Sequence, residues 1–323
     1  MFERLKRSIH AVADPLRALF VGDRRRAVVS VEQGDVAGGA NHAVYVHYNA
    51  GGVVADYVLQ ALLELRENGY AVTFVTNSPI DAPAHLATLR MLVREIVLRR
   101  NVGHDFAAYR DGIARLAKLP EPERLMLLND SVYGPLFPLA ETLAKAEESG
   151  ADIFGITDSR EIEYHLQSYF LLMFPRAIAS PRLRRFWRRL RVVSHKPWVV
   201  RNGEIRLSQL AARDGLRLDA LCGYDAVAAD VARRIDAIDL LELPQVEAEF
   251  LAFLRARIAA GIPLNPSHFF WAWLIRDFRC PFLKRELIQK NPQSIPGAGA
   301  WDALLRQETG YDTTLIARHL QSI

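Results

Sequence analysis

Between residues 43 and 156 short apolar runs alternate with helical patterns, and this alternation restricts the fold more than any other feature of the chain. Ala43-Val44-Tyr45-Val46-His47-Tyr48 reads as a strand. After Gly51-Gly52 a helical pattern turns Val54, Val58, Leu62 and Leu65 inward, and Asn68-Gly69 closes it as a C-cap does. Ala71–Thr76 reads as the next strand, stopped by Asn77-Ser78-Pro79, followed by a helix over 84–93. Glu95–Arg99 is a third strand, and 105–117 a helix. Leu125–Leu128, apolar on both faces, reads as a central strand. A helix over 139–149 leads to a strand over Ala151–Ile156. Strands alternating with helices predict an α/β fold: a mostly parallel, Rossmann-like central sheet flanked by helices.

Beyond residue 160 the pattern loosens. It gives a strand over 168–174 and a helix over 181–191. A helix over 207–213 ends at Asp214-Gly215, and a strand follows over 216–221. From 246 onward the chain reads as a helical C-terminal extension. The expected division is a basic amphipathic segment (1–40), the α/β domain (41–245) and the extension packed on it (246–323).

Ligands of such sheets bind beyond the carboxyl ends of the strands. His47, Asn77, Asn101 and Asn129-Asp130 all follow a strand and are expected to face a ligand.

The formal net charge is +4 over 323 residues. Residues 1–26 carry that whole excess, with Arg4, Lys6, Arg7, Arg17, Arg24, Arg25 and Arg26 against Glu3, Asp14 and Asp23. The remainder is balanced, which argues against nucleic acid as a partner. Phe2, Leu5, Ile9, Val12, Leu16, Leu19 and Phe20 give the basic segment an apolar stripe. Such a helix lies on an anionic membrane surface or packs on the domain with its basic side in water. A second basic run has Leu183, Phe186, Trp187 and Leu190 on one helical face and six arginines between 182 and 191 on the others. It is either a solvated face or a contact for lipid phosphates or a diphosphate-linked acceptor. No apolar run approaches a membrane span, and the N-terminus lacks the features of a signal peptide. With only Cys222 and Cys280, the expected location is cytoplasmic, including a peripheral position on the cytoplasmic face of the inner membrane.

Gly-rich phosphate loops, the G-x-S-x-G elbow and H-E-x-x-H are all missing, which weakens NTPase, dinucleotide-enzyme, serine-hydrolase and zinc-protease readings. Five constellations remain. In Asn101-Val102-Gly103-His104-Asp105 a carboxylate opens a helix, as a ligand contact or as a favourable end charge. In Asn129-Asp130-Ser131 a carboxylate leaves an apolar strand and needs a partner. A divalent cation, Mg²⁺ or Mn²⁺, bridging a nucleotide diphosphate would serve; Asp130 capping the turn before Gly134-Pro135 is the alternative. Gly155-Ile156-Thr157-Asp158 leads to His165-Leu166-Gln167-Ser168, whose polar side chains suit sugar hydroxyls. Glu204 opens a helix and is a candidate general base. Lys284 and Arg285 offer fixed positive charge to a diphosphate, and His268 lies in Asn265-Pro266-Ser267-His268.

Taken in order, these runs, with NVGHDFAAYRDG, LMLLNDSVYGPLFPL, DIFGITDS, HLQSYFLLM, NPSHFFW and PFLKREL, resemble the rhamnan synthesis protein F family over roughly residues 41–320. The resemblance implies a GT-A-like glycosyltransferase of bacterial surface polysaccharide assembly. It implies an inverting rhamnosyl transfer from dTDP-L-rhamnose to a lipid-linked glycan acceptor. On it, Asn129-Asp130-Ser131 stands at the metal-binding D-x-D with one acid kept, so Asp130 is the expected metal ligand. Asn101, Gly103 and Asp105 reach the donor, and His47, Asn77, Gln167, Ser168, Lys284 and Arg285, read from the residues above, are expected to join them. Glu204 stands for the catalytic base where the class has Glu-Asp, with Asp158 or His165 as substitutes. Tyr133 and His268 fall on the acceptor side. A non-catalytic nucleotide-sugar-binding or assembly subunit is the reading from another class.

Overall fold

A computed structural model describes residues 27–80, 82–117 and 119–322. The expected basic helix of residues 1–26 therefore lies outside the described residues. The elements of the α/β portion are β1 (Val28–Gln33), β2 (Asn41–His47), α1 (Asp56–Glu67), β3 (Tyr70–Thr76), α2 (Pro83–Leu92), β4 (Glu95–Arg99), α3 (His104–Leu116), β5 (Arg124–Asn129), β6 (Val132–Tyr133), α4 (Leu139–Ser149), β7 (Ile153–Ser159), β8 (His165–Leu166) and β9 (Phe170–Met173). There follow α5 (Pro175–Ala179), α6 (Pro181–Arg189), α7 (Lys196–Val199), a π-turn (Val200–Ile205), α8 (Arg206–Arg213), β10 (Leu218–Cys222) and α9 (Tyr224–Asp236). The C-terminal region adds α10 (Gln245–Ala259), α11 (Pro266–Phe269), α12 (Trp271–Phe278), β11 (Leu283–Lys284), α13 (Arg285–Lys290), α14 (Trp301–Glu308) and α15 (Thr314–Gln321).

The sheet runs β1-β4-β3-β2-β5-β9-β7-β10. β4, β3, β2 and β5 are mutually parallel. β9 is wedged antiparallel between β5 and β7, so β7 and β10 point the same way as the parallel strands. The chain lays β2, β3 and β4 outward in one direction, then returns to place β5 on the other flank of β2. That reversal opens a crevice beyond the ends of β2 and β5, where doubly wound sheets bind ligands.

Alternation along β2 explains the two-sided core. Ala43 and Tyr45 face one layer with Leu62, Phe74, Met126 and Phe154; Val44 and Val46 face the other with Phe106, Tyr109, Leu127 and Leu207. α3 presses directly on the sheet at Gly112, where a Cβ would come within 2.4 Å of Val44 Cγ1. Buried Arg99 joins β3, β4 and α3: it donates to Asn77 Oδ1 at 2.6 Å and to Asp111 Oδ2 at 3.1 Å.

One boundary differs from the sequence reading. Val28–Gln33 falls in the span given to the N-terminal segment, yet it forms an edge strand antiparallel to β4. The C-terminal helices pack on the α/β portion. Leu254, Phe270, Leu287 and Leu305 belong to the same apolar cluster as Tyr45 and Phe74. Two contacts bind the region to the sheet. β11 pairs antiparallel with β6, Leu283 opposite Tyr133 and Lys284 opposite Val132. Phe282 packs against Phe170 and Tyr169, with centroids 5.6 and 6.1 Å apart. The β11–β6 ladder carries residues 284 and 285 across about 150 positions of sequence to the end of β5. Among the described residues no helix is long and apolar enough to cross a membrane.

Candidate active site

A cleft of about 500 Å³ opens beyond the ends of β2 and β5, closed on its far side by β11, α7 and the π-turn. Asp105, Asn129, Asp130, Ser131, His165, Gln167, Ser168, Glu204, His268, Lys284 and Arg285, all singled out from the sequence, line it together.

Asp130 leaves β5 almost fully buried. Its Oδ2 accepts from the Tyr48 N–H at 3.1 Å and from Arg285 Nη1 at 3.0 Å. Arg285 Nη1 also donates to the Asp130 carbonyl at 2.6 Å and to Tyr57 Oη at 2.8 Å. Desolvation raises the Asp130 carboxyl, and Arg285 and the Tyr48 N–H oppose that rise. The turn after it is local: the Asn129 side-chain oxygen accepts from the Ser131 N–H at 3.1 Å and from Ser131 Oγ at 2.5 Å.

Asn129 Nδ2 donates to Asp105 Oδ2 at 3.1 Å, which joins β5 to the start of α3. Burial, reinforced by the negative charge of Asp130, pushes the Asp105 carboxyl up to about 6. Opposite it, Lys284 Nζ lies 4.2 Å from the Tyr169 ring centroid and 3.5 Å from Ser131 Oγ. Burial brings this ammonium down to about 8, against the attraction of Glu204 and Asp105. Lys284 joins no ion pair within 4.0 Å among the described residues, so its charge is available to an anionic ligand.

Glu204 comes from the π-turn between α7 and α8, a local irregularity of the kind often found at functional sites. Close packing fixes the turn, since a Cβ on Gly203 would come within 2.7 Å of the Phe106 ring. One carboxylate oxygen, Oε1, accepts from the Ser168 N–H at 2.6 Å. The other, Oε2, lies 3.8 Å from His165 Nε2. His165 Nδ1 donates to the Glu163 carbonyl at 2.8 Å, which fixes the ring's orientation. Gln167 accepts from Thr157 Oγ1 at 2.6 Å, and His268 Nδ1 meets Gln293 Oε1 at 2.6 Å.

Six expected site residues lie outside the cleft lining. Asp158 is turned to the N-terminus of α9, where its Oδ1 accepts from the Tyr224 N–H at 2.5 Å. His47 is buried beneath β2, hydrogen-bonded to Thr76 Oγ1 at 3.1 Å and stacked on Phe74; burial lowers it to about 4. Asn77 is taken by Arg99. Asn101 is exposed on the approach to α3. Gly103 is a backbone requirement: its φ is 78° and a Cβ would meet Ala107 and Val192 at under 3 Å. Tyr133 is fully buried under the C-terminal helix, its hydroxyl 2.9 Å from His319 Nδ1. Conversely, Tyr48, Tyr169, Lys196 and Gln289 line the cleft without having been singled out. A Tyr directly after a strand was a usable signal for Tyr48. Tyr169 directly follows the named His165-Leu166-Gln167-Ser168 run, and Lys196 and Gln289 had no signal.

As a metal ligand Asp130 offers little. Its Oδ2 is already shared by a guanidinium and a backbone N–H, and among the described residues no group of three or more His, Cys, Asp or Glu could hold a metal ion. A divalent ion at this position would take its remaining ligands from a bound diphosphate. The positive charge already beside Asp130 is that of Arg285.

The sequence profile described as Rhamnan synthesis protein F matches residues 72–237. The chain is 31% identical over 175 residues to the Uncharacterized protein y4gN of Sinorhizobium fredii, covering 53% of this chain but only 45% of that protein. It is 28% identical over 238 residues to the Virulence protein VirA of Vibrio anguillarum, covering 72% of this chain and 74% of that one. Among solved structures, the mannosyltransferase PcManGT from Pyrobaculum calidifontis, in complex with GDP-Man and Mn²⁺, aligns over 95% of this chain and 84% of its own. That alignment has 12% identity and a TM-score of 0.33, too low to define a shared fold.

Proposed function

The chain belongs to the rhamnan synthesis protein F family, and from that premise we propose that it is a GT-A-like, inverting glycosyltransferase of bacterial surface polysaccharide assembly. The donor is a nucleotide sugar, dTDP-L-rhamnose in this reading, and the acceptor a lipid-linked glycan at the cytoplasmic face of the inner membrane. The observation that carries the proposal is the opposition, across one cleft at the sheet's topological switch point, of a held carboxylate and a part-buried cation without an ion-pair partner. Glu204 has one oxygen fixed by the Ser168 N–H and the other turned toward the cleft. Lys284 faces it with no close carboxylate.

The chemistry follows from these positions. An acceptor hydroxyl attacks the donor's anomeric carbon; its oxygen forms the new glycosidic bond as the bond from that carbon to the diphosphate oxygen breaks. The hydroxyl proton passes to Glu204 Oε2, and His165 Nε2, 3.8 Å from that oxygen, is placed to hydrogen-bond the acceptor. The nucleoside diphosphate leaves as an anion whose added charge is met by Lys284 and Arg285. Asp105, costly to ionise in its position, is relieved by a hydroxyl donor and is assigned to the donor's sugar or ribose. A divalent ion enters this proposal only as one carried by the donor's own diphosphate, and no step is routed through it.

A thermal-shift panel of nucleotide sugars tests the reading. A donor at 100 times its dissociation constant stabilises the fold by about 2.7 kcal/mol. dTDP-L-rhamnose is expected to raise the melting temperature, and Lys284→Ala to remove that rise. No shift with any nucleotide sugar would exclude donor binding and leave the assembly-subunit reading.

A further inference from the structure

A second depression, about 820 Å³, lies between α6 and the strip formed by α7, the π-turn and α8. Arg182, Arg185, Arg189, Arg191, Arg201 and Arg206 line it. All six are exposed, and the one carboxylate in the lining, Asp214, accepts from Arg182 at 2.6 Å and from Ser180. The other five join no ion pair among the described residues.

Such a concentration has a cost. Arg182, Arg185 and Arg189 recur three and four positions apart on one short helix, where like charges oppose helix formation. The helix is instead held by its apolar face, with Leu183, Phe186 and Trp187 buried and the Phe106 ring stacked 5.7 Å from Trp187. The outward face is free to serve a ligand. Guanidinium forks converging on one concave surface are suited to phosphate oxygens, which they bind through paired hydrogen bonds. The groove's aromatic residues, Phe186 and Trp198, are buried in its floor, so it offers no exposed ring on which nucleic-acid bases would stack.

The groove also shares a wall with the active cleft. On the α7–π-turn strip Lys196, Val199 and Glu204 line the cleft, whereas Trp198, Arg201 and Asn202 line the groove. We infer that the arginine groove is a binding site for the phosphates of anionic lipid headgroups, which seats the protein on a bilayer with its cleft beside the surface. This goes beyond glycosyl transfer and is measured without it, so loss of one reading leaves the other standing.

The test is co-sedimentation of the full chain with vesicles of phosphatidylcholine alone or of phosphatidylcholine mixed with phosphatidylglycerol. The triple variant Arg185→Gln/Arg189→Gln/Arg201→Gln is compared with an equal loss of charge elsewhere, Arg233→Gln/Arg255→Gln/Arg276→Gln. Wild type is expected to bind the phosphatidylglycerol vesicles selectively. The groove variant should lose on the order of a hundredfold in affinity, the control no more than severalfold. Because the replaced side chains are exposed, unchanged melting of both variants checks the fold. Equal losses in the two triples would assign binding to overall charge and residues 1–26, and overturn the inference. Wild-type affinity in the groove variant would do the same. So would tight binding of inorganic pyrophosphate or single-stranded RNA at the groove with no selectivity among vesicles.

Discussion

Replacing Asp105 by Asn removes a charge without changing shape, and the structure assigns that change a size and a pH dependence. Burial and the neighbouring charge of Asp130 hold the Asp105 carboxyl at about 6, against an ordinary 3.8. Between those values the folded chain keeps a proton that the unfolded chain has released. The folded state therefore binds more protons, and its stability falls as pH rises through this window. Two pKa units correspond to about 3 kcal/mol, a ceiling that partial exposure of Asp105 trims to about 2 kcal/mol. An Asn side-chain oxygen still accepts from Asn129 Nδ2, so the hydrogen bond into β5 is kept. The expectation is that Asp105→Asn is more stable than wild type by about 2 kcal/mol near pH 7.5 and indistinguishable from it near pH 4. Urea melts across that range, read as a shift in midpoint at constant slope, measure it. The variant should also bind nucleotide-sugar donor more weakly, since a carboxylate kept at such a cost is serving a ligand. Equal stability at every pH would refute the reasoning about Asp105. A destabilised variant whose deficit does not change with pH would refute it too, and would make Asp105 a structural hydrogen-bond partner.

Four further outcomes are expected. Arg285→Ala leaves Asp130 buried and unpaired and should cost about 3–5 kcal/mol in chemical denaturation, with Asp130→Asn in the same background restoring much of it. Lys284 loses its charge as pH rises through about 8, so wild-type donor affinity should fall above that pH, whereas Lys284→Arg should stay flat in titration calorimetry. Chelation of divalent ions should weaken donor binding by less than tenfold, about 1.4 kcal/mol, because Arg285 already supplies positive charge beside Asp130. Gly112→Ala forces a methyl against Val44 and should destabilise the fold by about 1–3 kcal/mol without altering donor affinity per folded molecule.

Much of the parallel half of the sheet was legible because its strands and helices carry local signals. Leu125–Leu128 is apolar on both faces because it is flanked by β2 and β9 and covered by helices on both sides, and periodicity alone conveys that. Val28–Gln33 was passed over because a basic run precedes it and its exposed positions dilute the pattern, as they do on an edge strand. Site residues divide in the same way. Asn129 and Asp130 end the strand beside the switch point, so a rule about strand ends finds them. Asp158 also stands at a strand end, but its N–H partner comes from Tyr224, 66 positions on, and no local pattern announces that. Tyr133 is sealed by His319 and Lys284 delivered by the β11–β6 ladder, both through long-range contacts. Gly103, set beside a ligand-like motif, proved to be required by its backbone and by Ala107 and Val192.

The central claim is that Glu204 takes the acceptor's proton in a glycosyl transfer run in this cleft. Transfer from a nucleotide-sugar donor by the purified chain, with Glu204→Gln alongside and donor affinity measured on both, tests it directly. The account predicts product from wild type, a fall of about 10²- to 10⁴-fold in rate for Glu204→Gln, and donor affinity unchanged. Transfer by Glu204→Gln at the wild-type rate would contradict it.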